Sequence, residues 1–204
     1  MSPEETANYN GFIQQFDKTG GDRKSAVRAS IKCAWQSYNR GDWPSAMRYF
    51  NIGWIDDPDN AEIFFGFALL MGDRGETEKA IRFYRKALFL NPQYEMAMTN
   101  LALEYMRKAT RIGRGWFGSG KAEYLGYLAE AEDLLQSALH LAISDEKELS
   151  YIYYKWAVVL AMRTDYKDAW EKVHLSRKHG SEVEQSFIDQ LSRDMPDPIA
   201  WLGP

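Results

Sequence analysis

The chain has 204 residues, 45% of them apolar and 26% charged, enough for one domain or one short solenoid with a sizeable buried core. A formal net charge of -4 and a pI near 5.5 leave no chain-wide basic excess to displace phosphate counterions, so nucleic acid is not an expected partner. A single cysteine, Cys33, excludes an intrachain disulfide and a cysteine-based zinc site, and no stretch approaches the roughly 18 to 20 uninterrupted apolar residues of a membrane span.

In chain order, residues Glu4 to Asp17 carry Tyr9, Phe12, Ile13 and Phe16 at helical spacing, which predicts an amphipathic N-terminal cap helix before Thr19-Gly20-Gly21 breaks it. Ala34, Ala46, Phe50, Gly53 and Pro58 then precede Ala68, Ala80, Tyr84, Ala87 and Pro92 by 34 residues each, and the turn glycines Gly41 and Gly75 share the offset. The first repeat, 27–60, departs from the pattern at Ser30, Cys33 and Ser37, where larger apolar groups are usual. The second, 61–94, is the most regular, with Phe64, Phe67 and Met71 completing its register. A third begins with Met98, Leu101, Ala102 and Tyr105, but its second helix arrives late, at Ala131, Leu135 and Ala138. Ala68 to Ala80 spans 12 residues and Ala102 to Ala131 spans 29, so 17 extra residues lie within repeat 95–145, as an insertion over 106–128. Part of that insertion, 123–129, is expected to lengthen a helix, with the glycine-rich centre 112–120 as its loop. A fourth repeat, 150–180, restores the short step with Tyr153, Trp156, Ala157 and Leu160, then Ala169 and Val173. Val183, Phe187, Ile188 and Leu191 predict a C-terminal cap helix, followed by a turn-rich tail.

These residues resemble the tetratricopeptide repeat (TPR), whose pattern W-x2-L-G-x2-Y, then A-x3-F, then P is met by Phe64, Phe67, Ala68, Met71, Ala80, Tyr84 and Pro92. The resemblance implies an all-α fold, a right-handed α-α superhelix of about four repeats over 25–180. An N-terminal cap helix and linker occupy 1–24, and a cap helix and tail occupy 181–204. The stretch AMRYFNIGWIDDPDNAEIFFGF is similar to TPR proteins of the bacterial envelope. Residues 1–22 lack a signal-peptide layout, so the chain as it stands reads as cytoplasmic. Its polar opening also suits a chain from which a signal was removed, which would make it periplasmic or lipid-anchored.

Several strings invite a catalytic or nucleotide reading. Gly113 to Gly118 matches G-x-G-x-x-G, and Gly115 to Lys121 matches G-x-x-x-x-G-K. Both motifs need a preceding strand so that backbone N–H groups gather around phosphate at a helix start, and 101–110 is helical in pattern. Ala122 also stands where a P-loop hydroxyl would ligate magnesium. His140, His174 and His179 are too few and wrongly spaced for H-E-x-x-H, and no nucleophile elbow occurs. The acidic run 56–60 lacks the spaced ligands of a calcium loop and reads as a helix cap. The chain is therefore expected to be no enzyme, to hold no metal and to need no cofactor.

The insertion is the least bland stretch: Arg107, Lys108, Arg111, Arg114 and Lys121 surround Trp116 and Phe117. Either the aromatics fold back on the solenoid, or Arg111, Arg114, Trp116, Phe117 and Lys121 form a contact loop for an acidic or aromatic partner. The TPR resemblance further implies a concave groove lined by the first helix of each repeat. Projecting its register places Arg28, Ile31, Lys32, Trp35, Tyr38 and Asn39 there from repeat one, and Phe65 and Leu69 from repeat two. Repeat three adds Asn100, Leu103 and Arg107, and repeat four adds Tyr151, Tyr154 and Lys155. A carboxylate clamp of the co-chaperone kind fails in both alignments. One start places Ile31, Trp35, Gly66, Met96 and Asn100 at the key positions, the other Phe65, Leu69, Asn100, Tyr151 and Lys155, and at most two of five suit. The reading is thus a non-catalytic adaptor that binds a protein or peptide partner, with loop 107–121 as a second contact. The alternatives are a self-assembling, homo-oligomeric structural component and a nucleotide or phosphate binder through Gly115 to Lys121.

Overall fold

The computed structural model describes residues 22–113, 120–142 and 145–198, together with Ala7, Asn10, Gly11 and Gln14, which are helical and exposed. Tyr9, Phe12, Ile13 and Phe16 of the expected N-terminal helix lie outside the described residues, as do Arg114, Trp116 and Phe117 of the loop. Among the described residues all regular structure is helical, in two compact units, 1–92 and 93–204.

The first unit contains α1 (Arg23–Asn39), α2 (Trp43–Asp56), α3 (Ala61–Asp73) and α4 (Thr77–Leu90). Side chains start three of these helices by accepting otherwise unpaired first-turn amides. Asp22 accepts from Ser25 N at 2.7 Å and Asp42 from Ser45 N at 3.2 Å, while Asn60 accepts from Glu62 N at 3.0 Å. The hydrogen bonds from Ser25 and Ser45, side chain first and amide second, hold Asp22 and Asp42 below the usual carboxylate range. Gly41 (φ 75°) and Gly75 (φ 73°) close the α1–α2 and α3–α4 turns in the left-handed region, where a side chain would be strained. At each turn the glycine's own amide and the next one return to the preceding helix, Gly41 N to Tyr38 O and Asp42 N to Ser37 O, each at 2.9 Å.

Close helix approach explains the small residues of the repeat. Ala34, Ala46, Ala68 and Ala80 are fully buried, with the Phe50 and Tyr84 rings filling the space beside them. Two glycines bring α2 still closer: a Cβ on Gly66 would overlap the Phe50 ring, and one on Gly53 would meet the Ser30 hydroxyl at 2.7 Å. The tight fit at Gly53 accounts for the departure at Ser30, because a large apolar group there would push α2 away. The buried Ser30 hydroxyl donates back to Val27 O at 2.8 Å.

The second unit contains α5 (Glu95–Ile112), α6 (Gly120–Leu141), α7 (Glu146–Met162), α8 (Tyr166–Lys178) and α9 (Gln185–Asp194). Ala102, Ala131, Ala157 and Ala169 are again fully buried, with Leu135 and Val173 in the places of Phe50 and Tyr84. Helices α5 and α6 have 18 and 22 residues, against 13 and 14 in α3 and α4, so much of the extra length of this hairpin is helix. The extension is tied down by side chains. Tyr127 stacks on Tyr105 with centroids 5.8 Å apart, Lys108 lies over the Tyr127 ring at 4.3 Å, and the Tyr124 hydroxyl donates to Met162 O at 2.8 Å.

At the far end, α9 buries Ile188 and Leu191 against Leu160, Trp170 and Val173, covering the apolar side of α7 and α8. The chain after α9 is clipped to α8: Trp170 Nε1 donates to Met195 O at 2.9 Å, and His174 Nε2 lies 3.0 Å from Asp197 Oδ1. At the α7–α8 turn Thr164 stands where the earlier turns carry glycine, and it adopts the same left-handed backbone at φ 71°.

Candidate functional site

In the first unit α1 and α3 carry the projected groove residues. Arg28, Lys32 and Asn39 are exposed, and Trp35, Tyr38 and Leu69 are half-buried. Ile31 and Phe65 differ from the expectation that they line the open face: they are 7% and 4% exposed. The reason is local. Phe65 is sandwiched between Trp35 (5.8 Å) and Tyr84 (5.9 Å), and Ile31 faces the close approach of α2 at Gly53, so both belong to the core.

The polar edges of the half-buried aromatics are engaged by carboxylates one helix hairpin away. Trp35 Nε1 donates to Glu62 Oε1 at 2.6 Å, and the Tyr38 hydroxyl donates to Asp73 Oδ2 at 2.7 Å. Burial first, and then the Asp73 hydrogen bond and charge, push the Tyr38 phenol far above its ordinary range, so it remains a donor. These clips fix the rings as walls, and the face they build is aromatic with an acidic border.

In the second unit the structure brings Leu103, Arg107, Tyr151 and Lys155 together in a cleft of about 600 Å³ between α5 and α7. Met106, Thr110, Arg111, Val158 and Met162 complete its lining. Met106, Thr110 and Met162 escaped the sequence reading, although each lies three or four residues from a residue on the same helical face. Arg111, assigned from sequence to the insertion loop, sits in this cleft because α5 continues to Ile112. Lys121, near the start of α6, is exposed. Asn100 is half-buried on α5 and its amide donates to Met96 O at 2.7 Å.

The charges of the cleft are held in place. Arg107 Nη1 pairs with the buried Glu104 Oε1 at 2.5 Å. Lys155 Nζ lies over the Tyr154 ring at 4.5 Å and the Tyr151 ring at 4.9 Å, two cation–π contacts on one ammonium. Burial lowers the Lys155 pKa, opposed by Glu184 and reinforced by Arg107. Tyr154 also packs edge-on against Phe187 of α9 at 5.8 Å, and burial with the Glu184 charge raises its phenol. Tyr151 is 37% exposed and offers ring surface to the cleft.

No family model matches the chain. In sequence, 78 residues are 31% identical to human "Protein O-mannosyl-transferase TMTC1", which is 38% of this chain and 9% of that protein, so the chain spans under a tenth of that relative's length. In structure, the chain is similar to TTC0263, a thermophilic TPR protein of Thermus thermophilus, at a TM-score of 0.64 and 16% identity, over 83% of this chain and 82% of that one. It is likewise similar to MamA from Desulfovibrio magneticus RS-1, at 0.63 and 15%, over 85% and 84%. The all-helical architecture is that of the TPR fold.

Proposed function

We propose that this TPR-fold chain is a non-catalytic interaction scaffold that binds a segment of a protein partner, with the α5–α7 cleft as its principal contact. The observation that carries the reading is one juxtaposition. An apolar floor of Leu103, Val158 and Met162 lies beside the exposed Tyr151 ring and the cations Arg107, Arg111 and Lys155. A cleft of this kind can desolvate one apolar side chain while pairing a neighbouring carboxylate, the combination that concentrates binding energy in few residues. The aromatic face of α1 and α3 is a second contact, and the basic aromatic stretch after Ile112 a third.

Selection of a random peptide library displayed on phage against the intact chain tests this reading. Enrichment that disappears with Tyr151→Ala supports the cleft assignment. Absence of enrichment from a folded sample, or enrichment indifferent to Tyr151→Ala, removes it.

Self-assembly is a second reading, supported by the exposed Trp54, Ile55 and Phe89, the last 78% exposed. Sedimentation across a wide concentration range tests it, and a strict monomer throughout would dispose of it. The nucleotide reading is weakened, because α5 is helical through Ile112 and supplies no strand ahead of Gly115 to Lys121.

A further inference from the structure

The groove between α5 and α7 is electrically two-ended. Where the two helices begin, Glu95, Asp145 and Glu148 line a recess of about 350 Å³ beside Met96 and Leu141. Toward their C-terminal halves, Arg107, Arg111 and Lys155 line the larger cleft. Tyr151 stands between the ends, three residues after Glu148 and four before Lys155, so the three share one face of α7.

Each end already bears a cost for its own sign of charge. Burial, then the neighbouring Glu95 and Asp145 carboxylates, raise Glu148, against a smaller lowering from its hydrogen bond with Thr99. Lys155 is displaced the opposite way by burial and Arg107, with Glu184 as its compensating charge. A bound group of opposite sign at either end would relieve that cost, and one of the same sign would add to it.

We propose that this groove, taken as a peptide site on the reading above, selects a zwitterionic segment: a carboxylate side chain beside Lys155 and Arg111, an apolar side chain on the Tyr151 ring, and a cationic side chain at the Glu148 end. The spacing follows from helix rise. Glu148 to Lys155 is seven residues, about 10 Å along α7, and Glu95 to Arg107 is twelve, about 18 Å along α5. An extended peptide advancing about 3.3 Å per residue spans these distances with its opposite charges three to five residues apart. A polyacidic run would extend over three carboxylates, and a polybasic run over three cations.

Fluorescence anisotropy of the full chain with labelled synthetic peptides of equal length tests the charge order. The probes are a glutamate–tryptophan–lysine peptide with its charges four residues apart, made in both chain directions, and polyacidic, polybasic and neutral counterparts. The zwitterionic probe is expected to bind about tenfold tighter than either single-sign probe, the effect of one charge-assisted hydrogen bond. Lys155→Met, which keeps an unbranched stem on the tyrosine rings, should erase that advantage. Glu148→Lys should instead raise affinity for the polyacidic probe about tenfold, an increase that a damaged fold cannot produce. Equal binding of zwitterionic and polyacidic probes, or no increase with Glu148→Lys, overturns the inference. Library peptides enriched without this charge order overturn it alone and leave peptide binding standing. Failure of every probe together with a failed library selection overturns the peptide-binding reading as well.

Discussion

Thr164 and Gly75 hold the same left-handed backbone position at equivalent helix–helix turns, at φ 71° and 73°. In both turns the residue's own amide and the next one return to the preceding helix: Gly75 N to Gly72 O and Glu76 N to Met71 O, Thr164 N to Ala161 O and Asp165 N to Leu160 O. A β-branched side chain in this region is strained by about 1 to 2 kcal/mol. Thr164→Gly relieves the strain but adds chain entropy to the unfolded state, so a net stabilisation of about 0.5 to 1 kcal/mol is expected. Gly75→Thr is the reverse exchange at an equivalent turn and should cost about 0.5 to 1 kcal/mol. Chemical denaturation of both variants checks the pair, and a Thr164→Gly variant less stable than the parent would contradict it.

Gly66 and Phe50 are coupled sterically, since a Cβ on Gly66 would occupy space held by the fully buried Phe50 ring. Gly66→Ala is expected to cost about 1 to 3 kcal/mol through overpacking. In a Phe50→Leu background the same substitution should cost clearly less. A double-mutant cycle measures the difference, and strict additivity would show that the ring yields without strain.

Phe65 and Tyr151 separate packing from recognition. Phe65 is 4% exposed between two rings, so Phe65→Ala should cost about 3 to 5 kcal/mol of stability. Tyr151 is 37% exposed, so Tyr151→Ala should cost under about 1 kcal/mol while removing peptide enrichment. Thermal melts beside the library selection decide between them. A Phe65→Ala protein of parental stability would return Phe65 to the open face.

Glu148 gives a pH signature. Its carboxyl is raised above the ordinary glutamate value of 4.5 by burial first and by Glu95 and Asp145 next. A carboxyl raised in the folded state holds its proton more tightly folded than unfolded. Stability therefore falls as pH rises from that ordinary value toward the raised one, and the loss is complete above it. Glu148→Gln removes the loss, so its Tm should exceed the parent's at neutral pH and the difference should fade as pH falls below the ordinary value. Melting curves from neutral to acidic pH check this, and a destabilised Glu148→Gln at neutral pH would contradict it.

The helix hairpins were legible in the sequence because helix crossing imposes a steric rule. The ten alanines picked by spacing, from Ala34 to Ala169, are all fully buried, where a larger side chain would hold the helices apart. The open face was less legible. Projection by register puts both Phe65 and Tyr151 on the groove face, yet whether a side chain meets solvent depends on what the neighbouring helix brings, and Phe65 meets Trp35 and Tyr84. The clips from Trp35 to Glu62 and Tyr38 to Asp73 join residues 27 and 35 positions apart, a range that helical periodicity does not address. Sequence pattern alone places Arg111 in a loop, because the length of α5 depends on interactions such as Lys108 over Tyr127. Thr164 gave no signal, since a turn that prefers glycine is held here by its hydrogen bonds despite a threonine.

The most direct measurement of the central claim is amide chemical-shift mapping of the labelled chain titrated with the tightest peptide from the library selection. With the peptide seated between α5 and α7, the largest changes fall on Leu103, Arg107, Tyr151, Lys155 and Val158. Changes confined to the neighbourhood of Trp54, Ile55 and Phe89, with the α5–α7 residues unmoved at saturation, would contradict it.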